Sequence, residues 1–303
     1  MSRLAISILS LSLLLAACGD DRTVNDDPLA PDMGVSPDSM PSPDSGPGPD
    51  ALVSPDAKAL PDAKAGPDKG TGPCTGPAPK GWKYEVGKAY WGRKNYIEYL
   101  PGDLPIVISS PHGGYLKPTE IKDRTYGVLG MDSNSQEYTL ETSHYLLRLT
   151  GRRPHVIINR LYRKKLDANR EIKEACQGDK LSEQAWAEYH KFITDAKAWV
   201  TARCGKGHYF DFHTNAHSAK WVEMGFTLTS TDLNRSDSAL NDVAFVKKSS
   251  VRTLASRPGK TLADIVRGPF SLGTLLMGRG YKSVPSAKHP HPAGQGFFSG
   301  GYN

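Results

Sequence analysis

The chain has 303 residues, 38% of them hydrophobic, and a net charge of +6. This length supports one sizeable globular domain and leaves little room for a second. The charge is unevenly placed, because residues 19–72 carry −7 and Arg3 carries +1, so that residues 73–303 carry +12. A basic domain attracts anionic partners, but net charge alone does not identify its chemistry.

Residues 1–17 predict export from the cytoplasm. Arg3 precedes an apolar run of 14 residues, which has the length of a signal peptide and is too short for a permanent membrane span. The run ends in LAACG at residues 15–19, which resembles the lipobox of bacterial lipoproteins. The resemblance implies lipidation of Cys18 and anchoring in the cell envelope, with Gly19 favouring the outer membrane. An ordinary cleavage site beside an accidental cysteine is the alternative.

Residues 18–80 predict a disordered tether. The segment contains no Phe, Tyr, Trp or Ile, so it cannot bury enough apolar surface to offset its conformational entropy. Pro-Asp recurs every six residues from Pro31 to Pro67, without the regular apolar residue that a solenoid needs for stacking. We therefore expect a spacer that reaches roughly 100 Å when extended. A Ca²⁺-binding acidic segment is the alternative.

Residues 81–303 predict one α/β domain. Short apolar runs at 104–110, 154–159 and 208–213 are typical of buried strands. Amphipathic helices are predicted between them, at 135–149 and 181–200. Alternation of strand and helix indicates right-handed crossovers and a mostly parallel or mixed central sheet with helices on both faces.

The rest of this domain predicts shorter elements. Residues 221–230 alternate enough for a further strand. Short helices are expected at 261–267, where the sequence has a capping box, and at 271–277. The tail from Pro285, rich in Pro, Gly and His, is predicted to be a loop.

Cys176 and Cys204 bracket the second long helix, and an exported chain can oxidise them. A helix of 20 residues holds its ends about 30 Å apart, so this pair requires the flanking loops to fold back. Cys74 is predicted to be the unpaired cysteine, and its pairing with either of the others remains open.

Two histidines follow predicted strands. His112 comes directly after the first strand and is followed by two glycines, and His213 ends the third. Since the carboxyl edge of an open α/β sheet is where sites form, these imidazoles are candidate ligands of one zinc ion. A carboxylate should complete the site. Asp132, Glu137 and Glu141 are the candidates, and we prefer Glu137 because its helix begins near that edge.

An arginine-rich segment, RLYRKKLDANR at residues 160–170, follows the second strand. Such a segment is commonly a solvated basic face. Beside a metal site, however, planar guanidinium groups are suited to binding a carboxylate and polarising a carbonyl.

Taken together, these motifs resemble the N-formylglutamate amidohydrolase family, which is related in fold to the zinc carboxypeptidases and the aspartoacylases. The resemblance rests on an ordered series: SPHGG at 110–114, DSNSQE at 132–137, Arg163, DANR at 167–170, DFH at 211–213, SLGTLL at 271–276, VPS at 284–286 and FSGGY at 298–302.

The resemblance implies a zinc-dependent hydrolase that cleaves an amide bond next to a carboxylate. His112 and His213 would bind zinc, Asn169 and Arg170 would hold the substrate carboxylate, and Arg163 would act near the scissile carbonyl. The expected partners are an acidic small-molecule or peptide substrate and, through the lipid anchor, a membrane. Nucleic acid is not favoured as a partner.

The general base is the weakest part of the resemblance. Such enzymes use a Glu on a late strand, whereas no Glu follows Glu223 in this chain. We take Glu223 as the candidate catalytic base, with Asp264 as its alternative and a C-terminally truncated domain as another explanation. A non-catalytic lipoprotein that binds anionic ligands or cell wall is the alternative function. A serine hydrolase is less favoured, because the chain has no GxSxG elbow.

Overall fold

The computed structural model describes residues 74–301. The predicted signal peptide, the lipidation site Cys18 and the Pro-Asp repeats lie outside the described residues. Within residues 74–301, no helix combines the length and the apolar character needed to cross a membrane.

The central sheet has five strands, which are β1 (Tyr90–Trp91), β2 (Ile97–Leu100), β3 (Ile106–Ser110), β4 (His155–Asn159) and β5 (His208–Asp211). Their spatial order is β1-β2-β4-β3-β5. The strands β3, β4 and β5 run parallel, whereas β2 is antiparallel to β4 and β1 is antiparallel to β2. The sheet is therefore mixed, which confirms the predicted α/β class.

Three helices connect these strands, α1 (Ser135–Thr150), α2 (Ile172–Cys176) and α3 (Lys180–Cys204). Alternate residues of a strand point to opposite faces of the sheet. Val107 of β3 belongs to the apolar cluster that contains Trp199 of α3, whereas its neighbour Ile108 clusters with Leu146 of α1. The two long helices therefore cover opposite faces of the sheet, as the sequence predicts.

The ends of the long helices are set by local backbone chemistry. Asn134, which precedes α1, has a left-handed φ of 63°, and α1 ends at Gly151, whose N–H donates to the Leu147 carbonyl. Asp179 caps α3 by accepting hydrogen bonds from the Leu181 and Ser182 N–H groups, each at 3.0 Å. The turn before α1 positions one residue of the candidate site.

A disulfide joins Cys74 to Cys204, the last residue of α3, and leaves Cys176 as a buried free thiol. The prediction that Cys74 is the unpaired cysteine is therefore wrong. The Gly76 N–H also donates to the Arg203 carbonyl at 3.0 Å, so the segment after Cys74 runs along the end of α3. The folded domain consequently includes Cys74, which precedes the predicted boundary at residue 81.

The remaining helices are short and are α4 (Ser230–Leu233), α5 (Asp237–Leu240), α6 (Val243–Lys248), α7 (Arg252–Ala255), α8 (Leu262–Arg267) and α9 (Leu272–Met277). Thr261 and Ser271 cap α8 and α9, which confirms both predicted helices. A parallel pair of two-residue strands, β6 (Val222–Glu223) and β7 (Ser283–Val284), lies outside the central sheet. The strand predicted at 221–230 is thus much shorter than expected.

Candidate metal centre

Three chain segments meet at the carboxyl edge of the parallel strands. His112 follows β3, Asp167 lies in the segment after β4, and His213 follows β5. Because β4, β3 and β5 are neighbours and run parallel, their carboxyl ends share one edge of the sheet. The order of the strands therefore brings together residues that are about 50 positions apart in sequence.

The side chains of His112, Asp132 and His213 form a group that could hold a metal ion, with one ligand atom from each. Nδ1 of His112 lies 3.1 Å from Nδ1 of His213. Oδ2 of Asp132 lies 3.4 Å from the first of these nitrogens and 2.9 Å from the second. Side-chain exposure rises from 1% for His112 to 31% for His213, so the group is accessible to solvent on the His213 side.

A second carboxylate orients each imidazole. Nε2 of His112 lies 2.6 Å from Oδ1 of the fully buried Asp167, and Nε2 of His213 lies 3.0 Å from Oδ2 of Asp211. Each ring therefore carries its proton on Nε2 and directs Nδ1 towards the centre. A carboxylate bonded to the far nitrogen of a histidine is the usual arrangement around protein-bound zinc.

Arg163 links the two sides of the centre. Its Nε donates to Asp167 at 2.9 Å, and one terminal nitrogen donates to Oδ1 of Asp132 at 3.1 Å. Arg124, which the sequence analysis did not single out, places its guanidinium 3.7 Å from Asp167 and donates to the Arg163 carbonyl at 3.1 Å. Two buried arginines thus neutralise the carboxylates that hold the ligands in position.

These contacts lower the pKa of two acidic groups in the centre, Asp132 and Asp167. Burial acts to raise the pKa of Asp132, but hydrogen bonds with His112 and His213 outweigh it and hold the pKa below the usual range. Burial also acts to raise the pKa of Asp167. The interactions with His112 and Arg163 outweigh this effect, so the pKa of Asp167 is low as well. Both carboxylates are therefore ionised at neutral pH, and that of Asp132 is available to a cation.

His213 has the opposite shift. Burial acts to lower its pKa, but the charge of Asp211 and the hydrogen bond with Asp132 raise the pKa to about 10. In the absence of a metal, a proton on His213 supplies the positive charge between the two Nδ1 atoms and the carboxylate. Any metal ion that enters must displace that proton.

The donor set of two imidazole nitrogens and one carboxylate oxygen is suited to a divalent metal ion. With Nε2 protonated on each ring, both Nδ1 atoms and Oδ2 of Asp132 present lone pairs to one another. These lone pairs repel, so the three atoms lie close together favourably only when a positive charge is between them. In a tetrahedral site with bonds of about 2.0 to 2.2 Å, ligand atoms lie about 3.3 to 3.6 Å apart. The three separations here are 2.9, 3.1 and 3.4 Å, so binding of a tetrahedral ion would move two of the three pairs slightly apart.

Asp132 replaces Glu137, the carboxylate that the sequence analysis preferred. Glu137 lies in the first turn of α1, where its Oε1 accepts a hydrogen bond from Gln136 at 3.2 Å. It also lies near Tyr115, whose pKa is raised first by burial and then by the charge of Glu137. The turn before α1 instead presents Asp132, whose N–H donates to the His112 carbonyl at 3.3 Å.

The predicted substrate-binding pair lies beside the centre. Nδ2 of Asn169 is 3.3 Å from Nε2 of His213, and Oδ1 of Asn169 is buried with no hydrogen-bond partner among residues 74–301. Arg170 is about one-third exposed, and its guanidinium contacts the Asn169 carbonyl at 2.7 Å and Glu174 at 3.4 Å. The structure therefore brings Asn169 to the ligand His213, while Arg170 lies at the surface next to it.

The predicted base Glu223 is engaged elsewhere. Its Oε1 lies 2.7 Å from Nδ1 of His217, and its Oε2 accepts the Phe298 N–H at 2.8 Å. Within residues 74–301, no hydrogen bond or ion pair joins Glu223 to His112, Asp132 or His213. Asp264, the alternative base, is exposed and accepts from the hydroxyl of its own cap residue, Thr261.

Arg163 also differs from its predicted role. The resemblance places it near a scissile carbonyl, whereas its guanidinium is buried and bonded to Asp132 and Asp167. We therefore assign it a positioning role. Asp167 and Asp211 were visible in the sequence as parts of the DANR and DFH motifs, but nothing in the spacing indicated that they orient the histidines.

Comparison of the chain with protein-family models, with curated proteins and with solved structures found no match. The chemistry of the centre is therefore the basis on which function is assigned.

Proposed function

We propose that this protein is a zinc-dependent hydrolase that cleaves an amide bond next to a carboxylate, similar to the N-formylglutamate amidohydrolases, on a domain of the zinc carboxypeptidase type. The observation that carries the proposal is the convergence of two Nδ1 atoms and one carboxylate oxygen, each from a side chain bonded to a buried or half-buried partner. His112, Asp132 and His213 would hold the ion.

Zinc in such a site supplies Lewis-acid chemistry, polarising a carbonyl and making water nucleophilic near neutral pH. The residues of the chain supply the rest. Asp167 and Asp211 fix the tautomers of the two histidines, and Arg163 fixes Asp132 and Asp167. The exposed side of His213 gives substrate and water access to the centre.

An acidic substrate is supported by charge and by the neighbouring residues. The region from residue 73 to the end carries +12. Asn169 contacts His213, and Arg170 is next to it with a partly exposed guanidinium, so a substrate carboxylate could be held within reach of the centre. Zinc hydrolysis of N-acylated acidic amino acids or peptides fits these features.

A non-catalytic binding protein is a second candidate, and one observation favours it. Glu223 is bonded to His217 and Phe298, and the described chain offers no other glutamate later in sequence to act as the base. In this case the centre would bind an anionic ligand or cell wall without turnover.

The position in the cell is part of the proposal. We place the protein in the cell envelope, anchored through lipidated Cys18 and held away from the outer membrane by the Pro-Asp tether. The support is the LAACG sequence at residues 15–19 and the apolar run before it.

The experiment is hydrolysis of N-formylglutamate and of a neutral N-formyl amino acid by the full chain loaded with zinc. We expect the parent chain to cleave the acidic substrate and the His112→Ala/His213→Ala variant to lose this activity. Arg170→Lys should have a higher Michaelis constant, because an ammonium cannot reproduce the planar fork of the guanidinium. Binding of N-acylglutamate without hydrolysis would favour the binding protein. If the chain neither binds nor hydrolyses the acidic substrate, both candidates are contradicted.

A further inference from the structure

A cavity that is open to solvent lies between the segments 116–124 and 161–165. The bridge between Leu116 and Leu161, together with the hydrogen bond from the Arg124 N–H to the Lys164 carbonyl, brings the segments side by side. The cavity measures about 240 Å³ and is lined by Lys117, Asp123, Tyr162, Lys164 and Lys165. Since a water molecule occupies roughly 30 Å³ of liquid, this space accommodates a small polar ligand.

The lining carries an excess of positive charge. Three lysines surround one aspartate, which gives a net charge of +2. Asp123 is satisfied by Lys165, whose Nζ lies 2.6 Å from it and 2.6 Å from the Ile121 carbonyl. The excess charge therefore belongs to Lys117 and Lys164.

Within residues 74–301, neither of these two lysines has a carboxylate within 4.0 Å, in contrast to Lys180 and Lys191. Lys180 and Lys191 each bind a carboxylate, at 2.7 and 2.8 Å. Lys117 instead lies 4.4 Å from the centre of the Tyr162 ring, and over residues 74–301 neither Lys117 nor Lys164 forms a side-chain hydrogen bond or an ion pair within 4.0 Å. Their ammonium groups are available to an external anion.

The cavity is independent of the metal centre. Arg163 directs its guanidinium to Asp132 and Asp167, whereas its neighbours Tyr162 and Lys164 line the cavity. One short turn thus supplies residues to two different sites.

We propose that this cavity binds a phosphate group, from a free phosphate ester or from a lipid headgroup. A phosphate monoester carries between about −1.5 and −2 at neutral pH, which matches the +2 of the lining, and lysine binds phosphate as a point charge. A carboxylate would leave one positive charge uncompensated. The inference does not depend on the proposed hydrolase activity.

The test is calorimetric titration of the full chain, after zinc has been removed with a chelator, with inorganic phosphate and with glycerol 3-phosphate. Vesicles containing phosphatidylglycerol form a separate arm, which distinguishes a lipid headgroup from a free ester. The cavity variant is Lys117→Gln/Lys164→Gln. Its matched control is Lys247→Gln/Lys260→Gln, which removes the same charge from exposed lysines elsewhere in the domain.

We expect saturable binding of about one phosphate per chain, weakened about tenfold or more in the cavity variant and little changed in the control. A single Lys164→Gln variant should show an intermediate loss, which guards against a folding defect in the double variant. Equal weakening in the cavity variant and the control would show that only net charge matters. That result, or the absence of saturable binding to the parent chain, would overturn the proposal.

Discussion

Nδ1 of His112 lies 3.1 Å from Nδ1 of His213, although the two rings follow different strands. Two imidazoles in this arrangement share either a proton or a metal ion, because each bonds a carboxylate through its far nitrogen. The position of these two atoms determines most of what can be tested about this protein.

Zinc affinity should depend on pH through His213. Its pKa is raised to about 10, so below that pH a bound zinc ion must displace a proton. We expect the logarithm of the affinity to rise by about one for each pH unit between pH 6 and 9. Competition with a chelator of known pH dependence measures this slope, and an affinity that does not change with pH would count against the site.

Arg163→Lys should weaken zinc binding by about 10- to 100-fold. A lysine lacks the planar fork through which Nε of Arg163 bonds Asp167 while a terminal nitrogen bonds Asp132. Arg148→Lys is the matched control, since Arg148 forms an exposed ion pair with Glu141. If both variants bind zinc like the parent chain, Arg163 does not position the ligands.

The disulfide between Cys74 and Cys204 should contribute about 2 to 5 kcal/mol to the free energy of unfolding, because it closes a loop with a sequence separation of 130 residues. Cys74→Ser and Cys204→Ser should each lower stability, and the double variant should lose no more than either alone. Denaturant titration measures these values.

Peptide mapping identifies the cysteines involved. Digestion without reduction should release one cross-linked peptide pair containing Cys74 and Cys204, and a Cys176→Ser variant should keep it. A cross-link to Cys176 would contradict the assignment.

His155 should make the domain less stable in acid. The ring is fully buried, its Nδ1 accepts the Gly102 N–H at 3.2 Å, and burial lowers its pKa from 6.5 to about 3. The unfolded chain binds a proton at this residue below pH 6.5 while the folded chain does not. The stabilisation is therefore complete above pH 6.5 and falls by about 1.4 kcal/mol per pH unit as the pH decreases towards 3.

His155→Asn isolates this contribution. The asparagine oxygen can accept the same hydrogen bond but does not titrate. The free energy of unfolding, measured by denaturant titration between pH 4 and 7, should decline less steeply in the variant than in the parent. Parallel pH profiles for the two proteins would show that His155 is protonated in the folded state or is not buried.

Much of the fold could be predicted because the parallel strands are covered on both faces. The residues Ile106, Val107 and Ile108 form a continuous apolar run for this reason. The strand β2 escaped prediction because it contains Glu98, which is buried and accepts a hydrogen bond from Arg160 at 2.9 Å. An ion pair between distant residues interrupts the apolar pattern on which strand prediction depends.

The histidines of the centre could be predicted, but their carboxylate partner could not. Position directly after a strand identifies His112 and His213, since strand ends meet at one edge. The choice of Asp132 over Glu137 depends on the path of the turn before α1, where Asn134 takes a left-handed φ of 63°. Residue spacing contains no information on that path.

The most direct test is the zinc affinity of Asp132→Asn compared with that of Glu137→Gln, each measured in the full chain by competition with a chelator. Both variants remove one carboxylate and nearly preserve shape, so they differ only in which acid lies at the centre. The structure predicts that Asp132→Asn loses most of its zinc affinity and that Glu137→Gln binds like the parent chain. Loss of binding in Glu137→Gln with normal binding in Asp132→Asn would contradict the centre described here.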